Sequence, residues 1–434
     1  MNDKRVHMWL IQGGRIVDPA NGIDAEKDLL IEGGVVKAID ANIPPPAGAK
    51  IVDAARRIVA PGFVDIHVHF REPGHEYKED ISSGLAAAAA GGFTAVCAMP
   101  NTSPVNDDPA ITRAMIERAE EAGGTHFFPI GAITRGLKGE QLAEMSEMKD
   151  AGIVAVSDDG RCVMNAQIMR RALEYARDLD LLVIQHCEDH HMTAGTHMHE
   201  GPNATKLGIR GFPREAEDII VARDIILAEL TGARYHVAHI SSRRSVQLVR
   251  EAKMRGLPIT AEVTPHHLIL TDDALLDYDT HCKCNPPIRE EIDRLALIRG
   301  VADGTIDCIA TDHAPHSPME KDCEFDRAAV GVNGLETAWP ALLTLVDRGE
   351  LTMRRLIEAL TISAVRVLPE VGGGTLSVGA PADLVILDTQ ERWTVAREAL
   401  RSKSHNTPLL DQEVKGAVAA TFVGGELVFE RKRA

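Results

Sequence analysis

The sequence predicts a closed (β/α)8 TIM-type barrel with a small composite β-sandwich built from both chain ends, on three observations. Short β-rich apolar runs alternate with helical stretches eight times through the middle of the chain. Nearly every one of those runs ends in a cluster of polar residues. The two termini share a different texture, short β runs separated by Gly and Asn turns.

The eight predicted strands are 63–70, 93–99, 127–133, 153–157, 181–187, 235–241, 258–264 and 306–312. Stretches such as "AQIMRRALEYARDL" and "AEDIIVARDIILAEL" lie between them, with apolar residues at three- and four-residue spacing. The third crossover is rich in Gly and Lys and carries the weakest helical pattern. At the ends, "LIQGGRIVD" and "DLLIEGGVVKAID" match "GAPADLVILD" and "GAVAATFVGGELVFE" in texture. Residues 1–60 plus 375–434 are therefore expected to form one small domain, and 61–374 the barrel.

At 434 residues and 44 % hydrophobic, the chain can bury a large core. Its formal charge of −17 argues against a nucleic-acid partner, and the only basic cluster is the short "ERKRA" tail. The start "MNDKRVHMWLIQGG" has no apolar run of secretory length, and no stretch approaches a transmembrane span. Seven scattered cysteines read as reduced thiols rather than a disulfide framework. The expectation is a soluble, cytoplasmic protein.

The first strand, "FVDIHVHFREPGHE", carries an acid and two histidines among apolar residues. Strict alternation sends Val64, Ile66, Val68 and Phe70 one way, and Asp65, His67 and His69 the other. Burying the second set costs several kcal/mol unless something satisfies it. Other strands end in "MPNT", "SDDG", "QHCED", "AHISS", "TPHH" and "TDHAPH". A barrel gathers such ends on one face, where active sites sit. His67, His69, His186, His239, Asp159 and Asp312 are of the right type for divalent metal. Four imidazoles and two carboxylates exceed one tetrahedral ion and suit two, which can share a bridging hydroxide and polarise a carbonyl.

These residues reach a resemblance that covers nearly the whole chain. "PGFVDIHVHFREPG", "AMPNT", "SDDG", "HCED", "AHISS", "AEVTPHHL", "CNPPIR", "ATDHAPH", "GVNGLET" and "GAPADLVILD" together resemble the class I dihydroorotase family of the amidohydrolase superfamily. The resemblance implies metal, zinc and two ions per chain, on His67, His69, His186, His239 and Asp312. Its bridging aspartate matches Asp159 rather than the adjacent Asp158. It implies reversible closure of N-carbamoyl-L-aspartate to L-dihydroorotate within pyrimidine synthesis, by a metal-bridged hydroxide with Asp312 as general base and then acid.

The retained substrate carboxylate would meet Arg71, Asn101 and His316, with Arg71 able to bind it bidentately, and His69 would also touch the substrate. Asn285 and the Val330–Gly331 backbone would lie against the ring amide edge. Two rival readings stand beside this one. A dihydropyrimidinase, hydantoinase or allantoinase is disfavoured by the missing bridging lysine and by the Arg71/Asn101 pair. A non-catalytic scaffold of aspartate transcarbamoylase is disfavoured by the complete ligand set. A homodimer and association with aspartate transcarbamoylase are the candidate assemblies.

The remaining histidines get plainer expectations. His190, His191, His197 and His199 read as a solvated loop, and His266 and His267 as residues lining the site. Asp65 and Asp158 are read as partners that orient histidines. Segment 316–334 is a charged candidate lid that ends in "AAVG" where the family usually has an aromatic "PFG".

Overall fold

The computed structural model describes residues 8–432. The first residues of the segment read for a secretory signal, and the last two of the basic tail, lie outside the described residues. Among the described residues, no helix is long and apolar enough to cross a membrane.

Five strands open the chain: β1 (Met8–Asp18), β2 (Ile23–Glu32), β3 (Val35–Asp40), β4 (Lys50–Asp53) and β5 (Ile58–Pro61). The barrel begins with β6 (Phe63–Val68), β7 (Phe93–Ala98), β8 (His126–Pro129), β9 (Ala155–Ser157) and β10 (Leu182–Gln185). A two-residue pair, β11 (Met198–His199) and β12 (Gly211–Phe212), interrupts it. The barrel then resumes with β13 (Tyr235–Val237), β14 (Ile259–Val263) and β15 (Cys308–Ile309). Three long-range partners close the chain: β16 (Leu384–Thr394), β17 (Glu413–Val423) and β18 (Glu426–Glu430).

Two parallel arcs, β6-β7-β8 and β9-β10-β13-β14-β15, make up the barrel wall. Single parallel bridges join them into a ring, Gly131 with Val156 on one side and Val68 with His313 on the other. Several strands are shorter than their apolar runs predict. At the closing seam the reason is a side chain. Thr311 donates its backbone N–H and hydroxyl to the Asp65 carboxylate instead of to a neighbouring strand's carbonyl. The last residues of the predicted eighth strand then bend away, with Asp312 at φ +47°.

The first strand also departs from strict alternation. Val64 and Ile66 join an apolar cluster with Ala95, Cys97 and Ile184, whereas Val68 and Phe70 join a second with the helix residues Ile81 and Leu85. A register shift between Asp65 and Val68 accounts for the switch. Such bulges re-aim side chains beside active sites.

The terminal strands form one continuous sheet in the order β18-β17-β16-β5-β1-β2-β3, with β4 on β1. Trp9 on β1 meets Phe422 on β17 edge-on at 5.2 Å, although two strands separate them in that order. Across a flat sheet those strands would lie about 14 Å apart, so the sheet curls over a shared apolar core. It docks on the barrel through Gly62 N–H to Asp383 O (3.0 Å) and Thr421 Oγ1 to Ala89 O (2.7 Å). Trp339 fills the junction, buried between Phe63 at 6.1 Å and the backbone at Gly416, where a Cβ would lie 3.2 Å from Trp339 Nε1.

Trp339→Ala should therefore destabilise the chain by about 3–5 kcal/mol through loss of buried area and the cavity left behind. The check is the denaturant midpoint, which should fall with little change in slope.

Candidate metal centre

The polar strand ends converge at one mouth of the barrel. His67 and His69 come from the end of β6, Asp159 follows β9, His186 follows β10, His239 follows β13 and Asp312 follows β15. All six are buried. Asp159 lies at the middle: its carboxylate is 3.3 Å from His67 Nε2, 3.3 Å from His69 Nε2, 3.5 Å from His239 Nε2 and 3.9 Å from His186 Nδ1. Asp312 Oδ1 lies 3.0 Å from His69 Nε2 and 3.6 Å from His67 Nε2. His186 Nδ1 and His239 Nε2 are 2.9 Å apart.

Neighbouring acceptors settle the tautomers of three of these rings. His67 Nδ1 is 2.6 Å from Glu262, His69 Nδ1 is 2.9 Å from Asn101 Oδ1, and His186 Nε2 is 2.8 Å from Glu188. An ionised carboxylate or an amide oxygen only accepts, so each of those nitrogens carries the proton. The opposite nitrogens then present lone pairs to the common centre. The centre thus sets lone pairs against carboxylate oxygens and against one another, which only a shared cation or proton satisfies.

A divalent cation fits on two further grounds. Asp159, Asp312, Glu188 and Glu262 are buried with histidine as their only cationic partner within 4.0 Å among the described residues. Without a cation, those buried carboxylates are compensated only by charging imidazoles that are themselves buried. In addition, His67 Nε2 and Asp159 Oδ1 are buried with no hydrogen-bond partner. Two triads have ligand atoms mutually within 4.8 Å, His67–Asp159–His239 and His67–His69–Asp312. Burial pushes the Asp159 carboxyl up, but the surrounding imidazoles hold it well below the usual carboxylate range.

The anion-binding expectations fare unevenly. Arg71, at φ +63°, folds back so that Nε donates to Pro315 O at 3.2 Å, and burial lowers its pKa. His316 Nε2 donates to Val330 O at 2.9 Å while Lys78 Nζ lies 3.5 Å from Nδ1, so both ring nitrogens are engaged within the protein. Asn101 uses its oxygen on His69 and leaves its amide nitrogen 3.4 Å from Asp159 O. Gly331 N–H is taken by Lys283 O, and Gly331 sits at φ +147°, where a Cβ would strike Ala314 O at 2.7 Å. Asn285 donates to Glu188 at 2.7 Å, and its Oδ1 is buried and unpartnered.

Other expectations change. Asp158 turns away from the imidazoles, accepting from Thr134 N–H at 2.9 Å and from the Thr134 hydroxyl. Asp65 serves Thr311 and the His67 backbone, so neither acid touches an imidazole. His199 does not belong to a solvated loop. It is buried, 3.2 Å from Arg289 and 3.1 Å from Arg214. Segment 316–334 is pinned by buried Lys321, which donates to the carbonyls of Thr280 and Ala329 at 2.8 Å and of Lys283 at 3.2 Å.

Sequence reasoning missed Glu262 and Glu188. Glu262 had a signal, a lone acid in the apolar run "PITAEVT", where Ala261 and Val263 pack outward among helix residues. It bonds His67, lies 3.2 Å from His236 and accepts from His239 N–H at 3.3 Å.

Barrel, polar mouth and cation-fitting centre, taken with the relatives that follow, define a metal-dependent cyclic amidohydrolase. Solved structures agree: L-hydantoinase from Arthrobacter aurescens matches 99 % of this chain and 97 % of its own, with TM-score 0.86 and 25 % identity. A dihydropyrimidinase from Brevibacillus agri shares the fold, with TM-score 0.82 over 98 % of this chain and 95 % of its own, at 21 % identity. The dihydro-orotase-like family model matches residues 56–245. Dihydroorotase from Pelobacter propionicus is 52 % identical over 422 residues, 97 % of this chain and 99 % of the relative. Dihydroorotase from Anaeromyxobacter sp. is 53 % identical over 428 residues, 98 % of each. The chain belongs to the dihydroorotase family.

Glu262→Gln should weaken metal retention about 10- to 100-fold, because an amide can donate as well as accept and no longer fixes the His67 tautomer. Competition against a chromogenic chelator reads this, with circular dichroism confirming that the fold persists.

Proposed function

We propose that the protein is a dihydroorotase, interconverting N-carbamoyl-L-aspartate and L-dihydroorotate in pyrimidine biosynthesis. The observation that carries the reading is the six-residue centre with an aspartate, Asp159, in its middle, beside an arginine at the same barrel mouth. A neutral-ring amidase has no carboxylate for that arginine to meet.

In this reading His67, His69, Asp159, His186, His239 and Asp312 hold two zinc ions. When bound, those ions supply the Lewis acidity that polarises the scissile carbonyl and acidifies water. Asp312 moves the proton. In ring opening, water adds to the ring carbonyl carbon, the carbon–nitrogen bond breaks, and Asp312 carries a proton from the water to the departing nitrogen. Ring closure runs the same transfers backwards. Burial pushes the Asp312 carboxyl up, but its contact with His69 and the facing imidazoles hold it at about 2. It is therefore ionised when ring opening begins.

Arg71 meets the retained carboxylate through the guanidinium nitrogens that Pro315 leaves free. His69, Asn101 and His316 complete that end, with His316 and Asn101 changing partners on binding. Asn285 and the Val330–Gly331 backbone face the ring. Residues 1–60 plus 375–434 act as the supporting domain and 61–374 as the catalytic one. The reading places the enzyme in the cytoplasm, as a homodimer able to associate with aspartate transcarbamoylase. Sizing the protein alone and mixed with that enzyme tests both assemblies.

The deciding experiment couples elemental analysis to turnover on one sample. Zinc at about two per chain with interconversion of the two compounds, lost on chelation, supports the reading. Metal with hydrolysis of hydantoin or dihydrouracil instead would sink it. Asp312→Asn should cut turnover in both directions by about 10²–10⁴-fold, the range of one general acid–base group. Arg71→Leu should raise KM for dihydroorotate at least about tenfold, as expected for a lost charge-assisted pair.

A further inference from the structure

Glu188 lies two residues past His186, just beyond β10, and is the acceptor of four groups at once. His186 Nε2 lies 2.8 Å away and Asn285 Nδ2 2.7 Å away, both on Oε2. The Thr193 hydroxyl donates to Oε1, and His190 Nδ1 lies 3.3 Å from the same oxygen. His190 Nε2 accepts from Cys162 N–H at 2.8 Å, so its proton is on Nδ1, facing Glu188. Glu188 is itself buried.

A carboxylate offers no proton, and this has two consequences. His186 must carry its proton on Nε2, which aims the Nδ1 lone pair at the metal centre. Asn285 must turn its NH2 toward Glu188, which leaves Oδ1 pointing elsewhere. That oxygen is one of the buried polar atoms with no partner in the protein. An unsatisfied buried acceptor costs about 1–3 kcal/mol unless a ligand donor meets it.

We infer that Glu188 is a positioning residue that fixes the Asn285 amide so that the site presents a carbonyl acceptor to a substrate ring N–H. The scissile nitrogen belongs to Asp312, so the N–H read by Asn285 is the ring N–H that is not cleaved. The inference rests on the dihydroorotase reading and adds to it how the ring is told from one of the same shape. One carboxylate thus couples a metal ligand to a specificity contact. A site built to bond a substrate N–H discriminates strongly against the analogue lacking it, because its own polar group is then left unsatisfied.

The test compares dihydroorotate with its analogue carrying CH2 in place of the uncleaved ring N–H, in the wild type, Glu188→Gln, Asn285→Ala and the double variant. The wild type should favour dihydroorotate in kcat/KM by at least about a hundredfold. The amide introduced by Glu188→Gln can donate as well as accept, so Asn285 is free to flip, and the preference should fall at least about tenfold. In the Asn285→Ala background Glu188→Gln should change the preference less than about twofold, because the two act through one contact. Chelator competition on the same variants should show weaker metal retention in Glu188→Gln but not in Asn285→Ala.

If Glu188→Gln is insoluble, Glu188→Asp withdraws the carboxylate by one methylene and replaces it in every comparison, with the same fall in preference expected. A preference unchanged by Glu188→Gln while metal retention and thermal stability fall would overturn the inference and leave Glu188 a structural acid. Failure of the wild type to turn over dihydroorotate would instead remove the underlying reading.

Discussion

Everything in this molecule is organised around one electrostatic problem. Four carboxylates, Asp159, Asp312, Glu188 and Glu262, are buried together with histidine as their only cationic partner within 4.0 Å among the described residues. In a low-dielectric interior such a group is intolerable alone and strongly attractive to a dication. The outer carboxylates, Glu188 and Glu262, accept hydrogen bonds from the imidazole N–H groups and so turn the lone pairs inward. The inner pair then faces those lone pairs across a gap of ionic size. The cost of assembling the centre without metal is the source of its affinity for metal.

A constellation of this kind must be held against its own repulsion, and the barrel does so in layers. Beneath the centre, Glu262 and His236 form a polar floor inside the wall. At the seam, Asp65 ties β6 to the segment that carries Asp312 through Thr311, so two ligand-bearing elements are fixed to each other by one buried side chain. Outside, the curled terminal sheet docks beside the first barrel strand, with Asp383 O accepting from Gly62 N–H, Thr421 donating to Ala89 O and Trp339 packed against Phe63. The backbone around the centre is correspondingly unusual. Arg71, His239 and Asp312 all have positive φ, at +63°, +31° and +47°, which is uncommon for residues other than glycine and clusters where side chains must be aimed.

The solved structures that share the fold and the relatives that share the sequence carry different names. Hydantoinase and dihydropyrimidinase folds superpose over nearly the whole chain. Fold similarity reports the barrel. Substrate class is written in the residues that line it.

Much of this was legible in the sequence, because strand–helix alternation, polar strand ends and His-x-His are local patterns, and a barrel turns strand ends into one site by geometry alone. The four histidines and Asp312 were named from residue type and position, and Asp159 was chosen over Asp158 on the family resemblance. The sequence did not reveal the bulge in β6 that breaks strict alternation, because bulges depend on the neighbouring strand. It did not show that Asp158 would serve Thr134, that His199 would be buried against arginines, or that Asn101 and His316 would be engaged with protein partners. Those outcomes depend on who stands opposite, which is a property of residues distant in the chain. Glu188 is the sharpest case. Its role comes from Asn285, nearly a hundred residues away, and only the tertiary structure brings the two within hydrogen-bonding reach. The sequence by itself determined which chemical groups reach the mouth of the barrel. The folded chain decided which way each of them points, because orientation is set by hydrogen-bond partners that contiguous sequence does not contain.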